Sequence, residues 1–469
     1  MVFASLEFLT LFLPAFLFLY ALTPKAHRNA VLMFSSWVFY GWWSPLLLML
    51  FIALILVGWI GGMAIDATRT PRQRMGMLAA FIGINLAVLC WYKYANILVE
   101  TLNQVLAWRG AMPIGWEKIV LPIGLSFIVL QSISYLIDVQ RRVVPADRSL
   151  INFGAYQAMF VHLIAGPIIR YDWVARELRE RTVDWPQFTQ GARRFMIGFS
   201  MKVLVADTLS PLVQTAFSLP SPSLADAWLG CLAYSLQLFF DFAGYSAMAI
   251  GLGLMLGFHF PENFNHPYLA RSIQDFWRRW HLSLSSWLRD YLYIPLGGNR
   301  KGAVRTYINL LLTMAIAGLW HGGDNWNYLL WGIAHGLALA ITRLWNDAAL
   351  PDPPELLSRV LTLLFVMLAW TLFRSHTFDS ALAMYAGQFG LNGYALGDAL
   401  RVELRLAHFL ALALGLACIV YPLLDARLAR GGRPGWLLVW DGSWPVAGFL
   451  LGFALIASRG AVPFLYFQF

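Results

Sequence analysis

The sequence predicts an all-α polytopic membrane protein, and three observations lead there. Hydrophobic residues make up 59% of the 469 residues and charged residues only 13%. A soluble domain carries roughly 25% charged residues, and half that share cannot cover the water-facing surface of so long a chain. The apolar residues also fall in long runs separated by short charged loops, the pattern of many membrane helices rather than one soluble core. Aromatic residues collect at the ends of runs, as at Tyr40, Trp42, Trp43, Trp91, Tyr92 and Tyr94, where amphipathic rings suit the membrane–water boundary.

The first run, Phe8–Leu22, follows an N-terminus without a basic stretch and reads as a retained span, not a cleaved signal. Val31–Trp43, Pro45–Ile65, Met75–Tyr92, Val120–Ile137 and Phe153–Ile169 come next. Phe195–Val213 and Trp228–Phe258 follow; the second is too long for one span and has Gly244 in its middle. The series ends with Ile308–Trp320, Tyr328–Leu344, Leu361–Phe373, Phe409–Leu424 and Trp444–Ile456. A span takes roughly 17–25 residues, so the runs predict roughly eleven to thirteen membrane helices, some of them incomplete or re-entrant. No internal repeat is visible, which argues against an inverted-repeat transporter. One integral membrane domain over residues 1–469 is expected, with an interfacial helical segment near 264–305.

The net charge of +9 comes from 34 Lys and Arg against 25 Asp and Glu. The basic residues sit in loops beside apolar runs, so they read as cytoplasmic-side loops that touch anionic lipid headgroups. Membrane lipid is therefore an expected partner and nucleic acid is not. Cys90, Cys231 and Cys418 lie singly in apolar runs without metal-type spacing and read as small buried hydrophobes. The loop 170–194 carries charges of both signs and is expected to hold a short surface helix.

The stretch from Phe264 to Arg305 is charged, rich in aromatics and not a span. Ser272-Ile273-Gln274-Asp275 fits a capping box, so a helix should begin there. Pro295 and Gly297-Gly298 should end it. Between them Ile273, Trp277, Trp280, Leu284, Trp287 and Tyr291 recur at helical spacing as one apolar stripe, with Arg278, Ser285 and Arg289 on another face and His281 on the flank. The expectation is one long helix lying along the interface or folded back into the bundle.

Among polar residues, His321 stands at the end of an apolar run and is followed by two glycines, Asp324 and Asn325. An imidazole there, with an ordinary pKa near neutrality, suits removal of a proton from a sugar hydroxyl; the alternative is a helix-ending histidine bonded to a carbonyl. His281 is the second candidate; its alternative is an interfacial histidine that hydrogen-bonds a lipid or a neighbouring helix. Gln237, Asp241 and Ser246 lie in an otherwise apolar run, where a carboxylate must be paired or protonated; Asp241 is expected to pair with an arginine of the 278–289 region. His162 precedes a Gly-Pro break and reads as structural or cavity-lining. Lys202 is expected to snorkel to the interface, and His335 to be a satisfied packing group. No metal-type cluster, P-loop, dinucleotide-type glycine motif or G-x-S-x-G elbow is present, which removes ATP-driven transport, redox and serine-hydrolase readings.

At RSIQDFWRRWHLSLSSWLRDYLYIPLGGNRKG and GLWHGGDNWNYLLWGIAHG the sequence resembles the membrane-bound O-acyltransferase superfamily, in its bacterial alginate and cellulose O-acetyltransferase branch. The opening MVFASLEFLTLFLP, YKYAN at Tyr92–Asn96, LPIGLSF at Leu121–Phe127, HLIAGPIIR and the LYFQF ending extend the likeness over nearly the whole chain. The resemblance implies that His321, the histidine of the W-H-G element, is catalytic, and that His281, of the R-W-H element, is a second functional residue. Two departures stand out. Ala247 replaces an aspartate usual in relatives, and the residues after His321 are more polar than in the alginate proteins, which opens the choice of polymer.

The activity so implied is transfer of acetyl from cytoplasmic acetyl-CoA, a substrate rather than a bound cofactor, across the bacterial inner membrane. A periplasmic partner protein would complete O-acetylation of cellulose or alginate. Relatives also acetylate peptidoglycan or alanylate teichoic acid. Candidate tunnel or substrate-binding residues are Gln237, Asp241, Arg278, Arg279, Ser285, Arg289, Asp290, Asp324 and Asn325, with Arg300 and Lys301 adding charge for the donor's phosphates. The competing classes are a polysaccharide or lipid-precursor transporter without chemistry of its own and a scaffold for a synthase complex.

Overall fold

The computed structural model describes residues 1–163, 166–323, 325–431 and 435–465, and among these the chain is helical without strands. Among the described residues eight helices are long and apolar enough to cross a membrane: Pro45–Ala67, Pro71–Trp108, Trp185–Ser218, Leu224–Met255, Ala303–His321, Glu355–Arg374, Leu406–Asp425 and Val439–Arg459. Two shorter apolar helices, Phe8–Leu22 and Leu125–Gln140, accompany them. The protein is thus an all-α, multi-pass membrane protein, and several shorter apolar runs are partial helices, as their lengths require. Asp324 and the last four residues of the LYFQF ending lie outside the described residues.

Helix starts follow local chemistry. Ser44 and Thr70 cap Pro45–Ala67 and Pro71–Trp108, each accepting a backbone N–H with its hydroxyl while proline holds the first helical position. Burial separates core from periphery. The most apolar stretch of Leu224–Met255 is 89% buried, that of Pro71–Trp108 only 17%, so the first is enclosed by other helices and the second leaves most of its residues uncovered by protein.

The chain forms two compact units, Met1–Phe195 with Met248–Pro261 and Met196–Ala247 with Glu262–Phe469. In the first, Phe160 is enclosed by the rings of Phe3, Phe8, Phe12, Phe16 and Phe39. His162 is buried there between the Gln131 amide at 2.9 Å and the Tyr156 carbonyl at 3.1 Å, a bonded core group.

Five helices position the groups considered below: α1 (Trp185–Ser218), α2 (Leu224–Met255), α3 (Ala303–His321), α4 (Asn327–Asp347) and α5 (Glu355–Arg374). The long apolar run is one unbroken helix, α2, and Gly244 does not interrupt it. The glycine serves an approach of backbones instead. A Cβ there would stand 2.7 Å from the Gly198 carbonyl and 3.1 Å from the Lys202 nitrogen of α1.

At that level α1 contains a π-helical turn, Met201–Ala206. It turns Lys202 inward, so the lysine does not snorkel. Its side chain is fully buried and bonds Asp207 and, at 3.1 Å, Asp241 of α2. Asp241 therefore pairs with Lys202 rather than with an arginine of the 278–289 region, because burial leaves it the lysine of the adjacent helix. Its other oxygen accepts the Leu465 N–H at 2.8 Å.

α3 and α4 form a hairpin packed backbone to backbone. A Cβ at Gly318 would lie 2.2 Å from the Tyr328 carbonyl, and one at Gly332 2.3 Å from the Met314 carbonyl. Gly332→Val is expected to pry the hairpin apart and destabilise the protein by about 1–3 kcal/mol or more, read as a fall in melting temperature in detergent. Gly76→Ala is the control: nothing lies within 4 Å of its added carbon, so the melting temperature should hold or rise slightly.

The 264–305 region is not one helix. Ile273–Trp277 is capped by the Ser272 hydroxyl on the Asp275 N–H, and Leu282–Leu288 continues into a π-helical turn, Arg289–Tyr293. Between them His281 adopts a left-handed conformation (φ 46°). The break has a local cause: Asn263 takes the Leu282 N–H with its carbonyl and the Ser283 N–H with its side-chain oxygen, so these donors cannot serve a continuous helix.

Candidate functional site

His321 is the last residue of α3 and is 5% exposed. Its ring meets Trp320 at 4.9 Å, Trp331 of α4 edge-on at 5.3 Å and Phe373 of α5 at 5.4 Å. The start of the next helix is held by side chains. Asn325 accepts the Asn327 N–H at 2.9 Å, and the Asn327 amide donates to the Ser375 carbonyl at 3.0 Å. The imidazole thus sits at a fixed place within an aromatic wall at the end of a membrane helix. Asp324 falls outside the described residues.

His281 is fully buried, not on a solvated flank. Its Nδ1 lies 3.1 Å from the Asn263 Oδ1, and the ring stands edge-on to Phe242 of α2 at 4.7 Å. The Ser283 hydroxyl donates to the same Asn263 oxygen at 3.0 Å. Burial pushes the His281 imidazole down to about 3, so the ring is neutral near pH 7.

The two histidine-bearing motifs belong to one aromatic array. Trp280, next to His281, lies 5.1 Å from Trp370 of α5; Trp370 stacks on Trp331 at 5.8 Å; Trp331 meets His321. His335 packs into the same array 4.8 Å from Trp331, and its Nδ1 accepts the Trp277 indole N–H at 3.2 Å. Its Nε2 has no hydrogen-bond partner among the described residues, so His335 is half satisfied rather than fully so.

The remaining candidates divide. Gln237 is buried on α2, and its Oε1 has no partner among the described residues; Asp241 belongs to the Lys202 cluster. The Ser285 hydroxyl closes the turn at His281 by donating to the Trp280 carbonyl at 3.2 Å. Arg279 is committed to Asp275 at 2.8 Å, and Arg289 to its neighbour Asp290 at 2.7 Å. Arg278, Arg300 and Lys301 are exposed. Asn325 shapes the turn after His321. Sequence reasoning missed Asn263, Ser283, the Lys202–Asp207 contact and the tryptophan array.

Residues 136–375, which hold both motif blocks, match the family model of MBOAT, the membrane-bound O-acyltransferase family. Over 420 residues the chain is 47% identical to "Probable alginate O-acetylase AlgI" of Azotobacter vinelandii, covering 89% of this chain and 84% of that one. It is 33% identical over 396 residues to "Peptidoglycan O-acetyltransferase" of Helicobacter pylori, covering 78% and 74%. It is 28% identical over 279 residues to "Teichoic acid D-alanyltransferase" of Streptococcus thermophilus, covering 54% and 65%.

Proposed function

The chain belongs to the membrane-bound O-acyltransferase family and is an O-acyltransferase of the membrane, and from that premise we propose that it moves acetyl from cytoplasmic acetyl-CoA across the bacterial inner membrane for O-acetylation of an exopolysaccharide. The observation that carries the reading is His321, a buried imidazole fixed at the end of a membrane helix among Trp320, Trp331 and Phe373. A polar, titratable group at that depth is costly to keep and is placed for chemistry. The relatives named for acetylation of alginate and peptidoglycan support acetyl as the group and a glycan as the acceptor. Alginate and cellulose are the polymers we propose.

A cleft of about 880 Å³ lies between α4 and α5, walled by Leu337, Ile341, Leu361 and Phe365 with Arg271 and Glu355 at its polar rim. The Phe365 ring is 5.2 Å from His335, which meets Trp331 and through it His321. We assign this apolar route to the thioester arm of the donor; Arg271 at its mouth is paired with Glu355 at 2.8 Å. Of the arginines assigned to the donor's phosphates from sequence, Arg279 and Arg289 are already committed to carboxylates. We propose that a periplasmic protein presents the long glycan.

The test uses purified protein in liposomes, labelled acetyl-CoA and, as acceptors, cellulose and alginate oligosaccharides with and without a periplasmic extract. Label is expected to leave acetyl-CoA and appear on one acceptor. Labelled D-alanyl thioester is expected to remain unused. Glycan flux without acetyl-CoA consumption would instead identify a transporter.

A further inference from the structure

We propose that Asn263 is the positioning residue that holds His281 in the tautomer able to accept a proton at Nε2, making His281 a base in the acyl transfer. This rests on the acyltransferase reading above. The geometry fixes each atom in turn. The Ser283 backbone N–H can only donate, and it points at the Asn263 side chain at 3.2 Å. The amide atom it meets is therefore the oxygen. The His281 Nδ1 faces that same oxygen at 3.1 Å, so Nδ1 carries the proton and Nε2 the lone pair. The asparagine is fully buried. Its backbone also grips the segment through the Leu282 N–H at 3.0 Å, and the Asn265 N–H bonds the Arg279 carbonyl at 2.9 Å. The orienting group and the imidazole thus share one clamp.

A second observation points to a ligand there. The Asn263 Nδ2, a two-proton donor, is buried and has no hydrogen-bond partner among the described residues. An acceptor hydroxyl or the transferred carbonyl would satisfy it. In the step we assign, a sugar hydroxyl gives its proton to His281 Nε2 while its oxygen bonds the acyl carbon. The carbon–sulfur bond breaks, the proton passes from Nε2 by way of the His321 imidazole to the thiolate, and both rings return to neutral. Elements around the ring carry Asp241 and Tyr245 on α2, Glu262 before Asn263, and Arg278 and Arg279 on its own segment. None of these adds to the shift of the imidazole, which burial alone produces. A carboxylate in place of the amide would therefore raise the titration of the imidazole, and it would also remove the Nδ2 donor.

Acetyl transfer is measured across pH for native protein, Asn263→Asp and Asn263→Ala. The aspartate accepts the same three N–H and O–H groups, so it keeps the tautomer while favouring the imidazolium. Its acid limb is expected to move up toward neutral pH, with a plateau above it that is lower than native because the Nδ2 donor is gone but higher than that of the alanine variant. Asn263→Ala is expected to lose tenfold or more in kcat with little change in KM for the donor. The proposal is overturned if the folded alanine variant keeps the native rate, or if the aspartate profile superimposes on the native one. A variant that does not fold leaves a measurement on the native chain. With ¹⁵N-histidine labelling, the resonances missing from His281→Asn are expected to report a protonated Nδ1 and a bare Nε2, and the reverse overturns the proposal. Transfer that depends on His321 but ignores Asn263 would sink this inference alone, whereas native protein without transfer would sink the acyltransferase reading beneath it.

Discussion

His321→Ala is expected to abolish acyl transfer, lowering the rate by about 10²–10⁴-fold, the usual contribution of a positioned acid–base group, while leaving a folded protein. The separation is possible because the backbone around His321 is held by other bonds. Asn325 and Asn327 fix the turn that follows, and Gly318 and Gly332 seat α3 against α4. The imidazole fills a space bounded by Trp320, Trp331 and Phe373, so its removal costs packing on the scale of an ordinary core truncation. The measurement is label transfer in liposomes beside a melting curve of the same preparation. Full activity in a folded variant would remove His321 from the chemistry.

The largest expected effect on stability comes from Lys202→Met. The lysine is the cation bonded to two buried carboxylates, Asp207 and Asp241. Removing it leaves both without that partner, and breaking such a pair costs about 3–5 kcal/mol. The Leu465 N–H bond to Asp241 should loosen with it, since protonation weakens the carboxylate as an acceptor. Melting curves in detergent are expected to fall steeply for the single variant. Adding Asp207→Asn should recover much of the loss, because one carboxylate then remains and keeps its backbone partner. A single variant as stable as the native protein would show that the cluster contributes nothing net.

How much of this was legible in the sequence depends on the range of the interaction. The membrane class, the helix start at Pro45 and the place of His321 at the end of an apolar run follow from composition and local spacing, whereas the capped start at Thr70-Pro71 lies four residues before the apolar run that begins at Met75. The break at His281 does not. The spacing of Ile273, Trp277, Trp280, Leu284, Trp287 and Tyr291 is helical, and only a competing acceptor from Asn263, 18 residues upstream of His281, diverts the backbone. The polar N-F-N-H-P run was the one available hint. Lys202 and Asp207 are five apart, a spacing that an α-helix does not bring together. The π-helical turn supplies it, and no residue pattern announces such a turn. The array of Trp280, Trp331 and Trp370 is not legible from periodicity because its members come from three segments.

The left-handed turn at His281 governs how that position is best interrogated. Asparagine enters this backbone region several times more readily than most residues, whereas alanine pays roughly 1–2 kcal/mol for it. An alanine scan would therefore overstate the worth of the ring, since part of any loss would be conformational cost charged to the side chain. His281→Asn keeps the hinge comfortable and subtracts the imidazole alone. For the same reason, a β-branched residue selected or designed into this position would be rejected for its shape before its chemistry was ever tried.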